Sequence, residues 1–194
     1  FWLYNTLLNY WLINFLIVYL NMANLNFLTD LPLGQKGEAT IAEHLNETYG
    51  YEIKSFNHNN EHDFIINVDS VDKTVEVKTD VYCIPPTQIT LPSGAVVKVE
   101  GRDTGNIFIE TECRGKLSGI NTSKSDIYIY YFPLLKEAWA IPTKKLKKLL
   151  TENNFELKEN AGDENSNTKG YVIPKNKFIT HFKVMSINIP WENQ

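Results

Sequence analysis

The 194-residue sequence predicts a mixed α/β fold built around one sheet. Three observations lead there. An apolar stripe at helical spacing (Ile41, Ala42, Leu45, Tyr49) stands ahead of a series of short runs rich in Val, Ile, Phe and Tyr. Those runs are separated by polar or Gly- and Pro-containing turns. A second helical pattern, "IPTKKLKKLLTENN", falls between later strands rather than before them. The length suits one domain with one core, and neither an internal repeat nor a second domain is visible.

Taken in order, "GQKGEATIAEHLNETYG" is the first helix, and Gly50 is its stop signal. Glu38 lies three and four positions before Ile41 and Ala42, so its carboxylate is expected on or beside the buried stripe. Glu43 and Glu47 are expected to face solvent. "YEIKSF" is a short strand, and "NHNNEH" a polar turn. "DFIINV" and "KTVEVKT" are strands joined by "DSVD". With Ser70 near the hairpin centre, Asp63 falls opposite Glu76 or Val77. Residues 81–105 are expected to form an extended loop and then a hairpin turning at Pro92, Ser93 and Gly94. "NIFIETE" is a strand, "RGKLSGINTSKS" a turn leading into a helix start, and "DIYIYYF" a further strand. Thr143 is the expected cap of the Lys-rich helix. Residues 156–170 are polar and expected to be mobile, and "GYVIP" and "FITHFKVMSINI" are closing strands.

Bulk composition narrows the function classes. The chain is 43% apolar and 22% charged with a formal net charge of -4, so nucleic-acid binding would have to come from local patches. Cys83 and Cys113 are isolated, without CxxC or framework spacing, which fits reduced thiols in a cytoplasmic protein. No G-x-x-x-x-G-K-[ST] loop occurs, so a nucleotide-driven motor is not indicated. "FWLYNTLLNYWLINFLIVYL" is uncharged and long enough to cross a bilayer, but three Asn and a Thr weaken that reading, and it lacks the basic flank of a signal peptide. Residues 1–21 are read as upstream translation or a hydrophobic N-terminal segment; an anchor and a partner-binding helix stay open as alternatives. Residues 22–194 are read as the single domain, and a membrane partner is not expected.

The stretch "HDFIINVDSVDKTVEVKTD" carries the chemistry. Glu76 and Lys78 are two apart and share a strand face, while Val75 and Val77 share the other. The hairpin therefore gathers Asp63, Glu76 and Lys78 into one patch beside an apolar sheet. Such a patch costs several kcal/mol (order of magnitude) if desolvated without a partner or an ion. Two carboxylates form a hard oxygen site of the kind Mg²⁺ prefers, and a lysine on the same face can orient water and offset developing negative charge. That is chemistry for hydrolysing a phosphodiester.

Asp63, twelve intervening residues, then Glu76-Val77-Lys78 resembles the signature of the PD-(D/E)XK nuclease superfamily. The helix bearing Glu38 stands where that superfamily often has an acid, and "TGNIFIETECRGKLSGINTSKSDIYIYYF" resembles the second half of small phage-type, resolvase-like members. The resemblance covers roughly Gly37 to Phe132, and His62 holds the place of the motif's proline. It implies a restriction-endonuclease-like core, a mixed central β-sheet flanked by helices in the order αβββαβ. It also implies a Mg²⁺-dependent endonuclease acting on DNA, with Mn²⁺ as a substitute, of a resolvase, homing or repair and recombination subtype. Asp63 and Glu76 would bind the metal, Lys78 would assist the water, and Glu38 would support or complete the site. Glu110 is a further candidate, with a plain surface acid as the alternative. Lys124 and Ser123 would approach a phosphate from a helix start. Arg102, Arg114, Lys116 and Lys124 are the expected DNA contacts. A homodimer would supply the second active site for a two-strand cut.

Competing readings bear on four of these features. Asp126 is read as a local hydrogen-bonding residue. "HNNEH", His58 to His62, matches the H-x-x-E-H zinc-peptidase pattern, but it lies between two strands without helical periodicity. His62 is read as an exposed turn residue, with a place beside Asp63 as the alternative. "KKLKK" is read as the solvated face of an amphipathic helix, with phosphate contact as the alternative. At the level of the whole chain, the alternative is a catalytically inactive nucleic-acid-binding or assembly protein that retains the fold.

Overall fold

The computed structural model describes residues 27–57, 61–83, 87–90, 96–99, 101, 103–161 and 167–191. The N-terminal segment 1–21, the first three residues of "HNNEH" (58–60), the Pro92-Ser93-Gly94 turn and Arg102 lie outside the described residues.

Helix α1 (Phe27–Tyr49) extends well N-terminal of the expected start and ends where Gly50 takes φ +69. Glu43 and Glu47 face solvent, as the stripe implies. Strands β1 (Glu52–Phe56), β2 (Phe64–Val68) and β3 (Val71–Thr79) follow as an antiparallel meander. Strand β8 (Ile127–Phe132) then pairs parallel to β3, and β9 (Glu137–Pro142) and β12 (Lys183–Ser186) pair antiparallel beyond it. The six strands run in the order β1-β2-β3-β8-β9-β12.

The single-sheet expectation is corrected by the segments between β3 and β8 and after β9. Strands β4 (Thr87–Thr90) and β5 (Val96–Val99) form a separate two-stranded hairpin. Strand β6 (Asn106–Cys113), the "NIFIETE" run, joins a four-stranded sheet in the order β10-β11-β6-β7. Its partners there are β7 (Lys116–Leu117), β10 (Glu156–Lys158) and β11 (Lys169–Pro174). Strand β10 lies at the start of the polar stretch expected to be mobile. The anticipated last strand is shorter, because helix α3 (Lys175–Phe178) and a 3₁₀ turn precede β12.

The alternation of β8 explains the layers. Ile129 and Tyr131 point to α1, where Ile41, Ala42 and Leu45 pack with Phe64, Ile66, Val75 and Val77. Tyr128, Tyr130 and Phe132 point the other way, to Ile107 and Ile109 of β6 and Ile173 of β11. Leu146 and Leu150 of helix α2 (Thr143–Glu152) join this second core. The central sheet is therefore covered by α1 on one face and by the second sheet and α2 on the other. Among the described residues no helix is long and apolar enough to cross a membrane.

Two local expectations change. "SGINTSKS" makes one 3₁₀ turn, Gly119–Asn121, where a helix start was expected. Gly119 sits at φ +52 with Glu110 O 2.5 Å from where a Cβ would stand, so the chain bends tightly over β6. Asn121 and Thr122 then spend their side chains on the carbonyls of Thr111 and Gly119, which competes with helix propagation. Thr143 opens α2 but does not cap it: Pro142 is the N-cap, and the Thr143 hydroxyl bonds Ser125 Oγ at 2.8 Å.

Helix α1 crosses β3 very closely at Gly37. A Cβ there would lie 1.9 Å from Thr79 Oγ1 and 3.0 Å from its Cβ, and rotating the β-branched side chain cannot clear both. Gly34, one turn earlier, has open space around it. Gly37→Ala is expected to destabilise the fold by about 1–3 kcal/mol, whereas Gly34→Ala should stabilise it by up to about 1 kcal/mol. Urea unfolding midpoints of the two variants check this pair.

Candidate functional site

The site begins at the β2–β3 turn. Asp69 and Ser70 take φ 50 and φ 67, the paired left-handed conformation that closes a two-residue hairpin with the twist of its strands. Val68 faces Val71 and Phe64 faces Val75. That is the last pair of the ladder; Asp63, one residue before it, donates its N–H to Val75 O at 2.8 Å. The Asp63 carboxylate also accepts the Val77 N–H at 2.6 Å, which fixes it against the end of β3.

Glu76 is buried and Lys78 half-exposed on the face of β3 opposite Val75 and Val77. Lys78 Nζ lies 2.9 Å from Glu76 Oε1. Burial pushes Asp63 up to about 7, helped by the charge of Glu76 and, further off, of Glu38; the Val77 N–H and Lys78 pull the other way. Lys78 is opposed by burial, yet Glu76, Asp63 and Glu110 together hold it protonated well above its ordinary range. Two carboxylates and a lysine thus share one half-buried corner, and the ionisation of Asp63 is opposed there. Glu38 is half-buried on α1 near enough to act on Asp63.

Glu110 reaches this corner from the other sheet. It accepts the Ser118 hydroxyl at 2.7 Å, and its charge acts on Lys78 and Tyr128. Lys124 pairs with Glu61 at 2.5 Å, and Ser123 is buried in a hydroxyl chain with Ser125 and Thr143, so neither stands at a helix N-terminus. Asp126 accepts the Thr74 N–H at 3.0 Å and ties β3 to the start of β8. His62 Nε2 lies 2.7 Å from Asn57 Nδ2, beside Asp63 in sequence. Arg114 and Lys116 are exposed at the β6–β7 turn. Lys147 of the "KKLKK" run donates to Ser123 O at 2.7 Å, whereas Lys144, Lys145 and Lys148 are exposed.

Sequence reasoning missed Tyr128. It pairs with Glu76 in the parallel β3–β8 ladder, so the two side chains rise side by side on one face. The residue is fully buried, and its hydroxyl has no hydrogen-bond partner among the described residues. An orphaned buried hydroxyl costs about 1–3 kcal/mol. Burial and the charges of Glu76, Glu110 and Asp63 keep it neutral and able to donate. Only the β3–β8 register reveals this, and that register is not written in either strand.

Among the described residues no three of His, Cys, Asp and Glu close around a common metal position. Two carboxylates that Lys78 relieves only in part do suit a divalent ion that retains water in its other positions, as Mg²⁺ does.

No protein-family model matches the chain. No curated protein matches it either. Among solved structures, a bacterial homing endonuclease overlays 58% of this chain and 68% of its own, at 14% identity and a TM-score of 0.35. An overlay that loose decides neither fold nor activity.

The raised pKa of Asp63 has a direct consequence for stability. Unfolded, the group loses its proton near the ordinary 3.8, and folded near 7, so between those values the folded state binds the extra proton. The contribution of this carboxyl therefore falls as pH rises from about 4 to 7 and is level above. The stability of metal-free wild type minus that of Asp63→Asn should decline across that window; a flat difference would contradict the buried environment.

Proposed function

We propose that the chain is a divalent-ion-dependent endonuclease that hydrolyses phosphodiester bonds in DNA, with a PD-(D/E)XK type of core. One observation carries the reading: the Val77 N–H holds the Asp63 carboxylate at the end of the hairpin, where Glu76 acts on it, and Lys78 is ion-paired with Glu76 on the same strand. The order of α1, the β1–β3 meander and β8 parallel to β3 supports it. The core departs from αβββαβ in that, among the described residues, a 3₁₀ turn stands where the second helix would.

Asp63 and Glu76 would hold Mg²⁺ or Mn²⁺. The bound ion would supply Lewis-acid polarisation of the phosphoryl oxygen and a more acidic water. Asp63 must be ionised to serve, so ion binding should weaken as pH falls below about 7. Lys78 is held protonated beside Glu76, where it can orient a water and offset negative charge growing on the phosphate. Glu38 adds negative charge from the α1 side. Arg114 and Lys116 on the exposed turn, and Lys124, would meet phosphates along the strand and confer salt-dependent binding. Arg102 belongs to the same proposal, and a homodimer would bring two such sites to the two strands of a duplex.

The test is cleavage of supercoiled, linear, single-stranded and four-way-junction DNA with Mg²⁺, Mn²⁺ or chelator. Cutting should require the ion, and Glu76→Ala and Lys78→Ala should each lower the rate at least about a hundredfold with the fold intact by circular dichroism. A folded wild type that retains DNA without cutting any substrate would instead identify an inactive binding or assembly protein.

A further inference from the structure

Strand β8 offers three aromatic side chains to the face that carries Glu76 and Lys78: Tyr128, Tyr130 and Phe132. Their polar atoms have different fates. Phe132 has no hydroxyl and is fully buried, so this face accepts a bare ring. The Tyr130 hydroxyl donates to the Phe108 carbonyl and joins the two sheets. The Tyr128 hydroxyl is fully buried and donates to nothing among the described residues. Two other buried side-chain atoms there lack partners, His44 Nε2 and Thr79 Oγ1, and both belong to the α1 side of the sheet. Tyr128 stands instead beside Glu76 in the ladder and feels Glu76, Glu110 and Asp63 in that order.

A buried hydroxyl on the residue paired with Glu76 in the ladder, which donates to nothing among the described residues, has a hydrogen bond to give to an acceptor that enters this corner. We infer that Tyr128 is a positioning residue. Its hydroxyl donates to an oxygen acceptor seated between Glu76 and Glu110, either a water carried with the divalent ion or a non-bridging phosphate oxygen. The inference rests on the nuclease function proposed above. It explains why a tyrosine without a hydrogen-bond partner stands on a face that elsewhere accepts the bare ring of Phe132. It also gives Glu110 a part: held by Ser118, its charge acts on Tyr128 from the second sheet.

Tyr128→Phe removes the hydroxyl and leaves the ring. In the full chain without metal, the variant should unfold at a temperature equal to or above that of wild type, because a buried unpartnered group is lost. Divalent binding is measured separately by calorimetry with Mn²⁺, and DNA cleavage by kcat and KM. If the acceptor is ion-bound water, Mn²⁺ affinity without DNA and kcat should both fall about tenfold or more while KM holds. If it is a phosphate oxygen, Mn²⁺ affinity should be unchanged and KM should rise. A variant that matches wild type in Mn²⁺ affinity, kcat and KM overturns the inference, whatever its unfolding temperature. Glu76→Gln separates the two layers. If Glu76→Gln abolishes ion binding and cutting while Tyr128→Phe alters neither, the inference alone fails. If wild type neither binds Mn²⁺ nor cuts DNA, the nuclease function fails and takes the inference with it.

Discussion

Everything at the candidate site depends on a two-residue turn. Asp69 and Ser70 in left-handed conformation fix which residue of β2 faces which residue of β3. Side chains in a strand alternate with period two, so a slip of one residue would send every side chain of one strand to the wrong face. Asp63 would lose Glu76, and the Phe64 and Ile66 rings and branches would leave the core under α1. The apolar core and the charged corner are thus two sides of one register. The hydrophobic face pins the hairpin, and the pinned hairpin holds two acids together that would otherwise separate.

That enforced proximity has an electrostatic cost, visible at Asp63. Burial and Glu76 oppose its ionisation, and Lys78 relieves the pair only in part. Stability alone would favour apolar residues here, since replacing a buried charged set with a packed hydrophobic one is often neutral or better. The arrangement makes physical sense if a cation completes it. The same reasoning applies to Tyr128, an orphaned donor where a phenylalanine would pack as well. Strain of this kind, collected in one corner, is the signature expected where a ligand enters.

Much of this was legible in the sequence because it is local. The stripe of Ile41, Ala42, Leu45 and Tyr49 specifies α1, and the spacing around Ser70 specifies the hairpin that brings Asp63 to the end of β3. The parts that were not legible are long-range. Strand β6 joins β11 rather than the central sheet, through pairs such as Ile109 with Tyr171 that no local pattern announces. Tyr128 enters the site through a parallel pairing across the whole β4–β7 insertion. The 3₁₀ turn at Gly119 replaces a helix because the chain packs onto Glu110, a contact absent from the segment's own propensities. Glu110 was a candidate from the sequence, and the strand that carries it belongs to the second sheet.

The central claim is that Asp63 and Glu76 form an incomplete oxygen site awaiting a divalent ion. Titration of the Asp63 carboxyl carbon by nuclear magnetic resonance, with and without Mg²⁺, tests it most directly. The account predicts a midpoint of about 7 in the metal-free protein and a clear fall in that midpoint when Mg²⁺ is added. A midpoint near the ordinary value, unmoved by Mg²⁺, would contradict it.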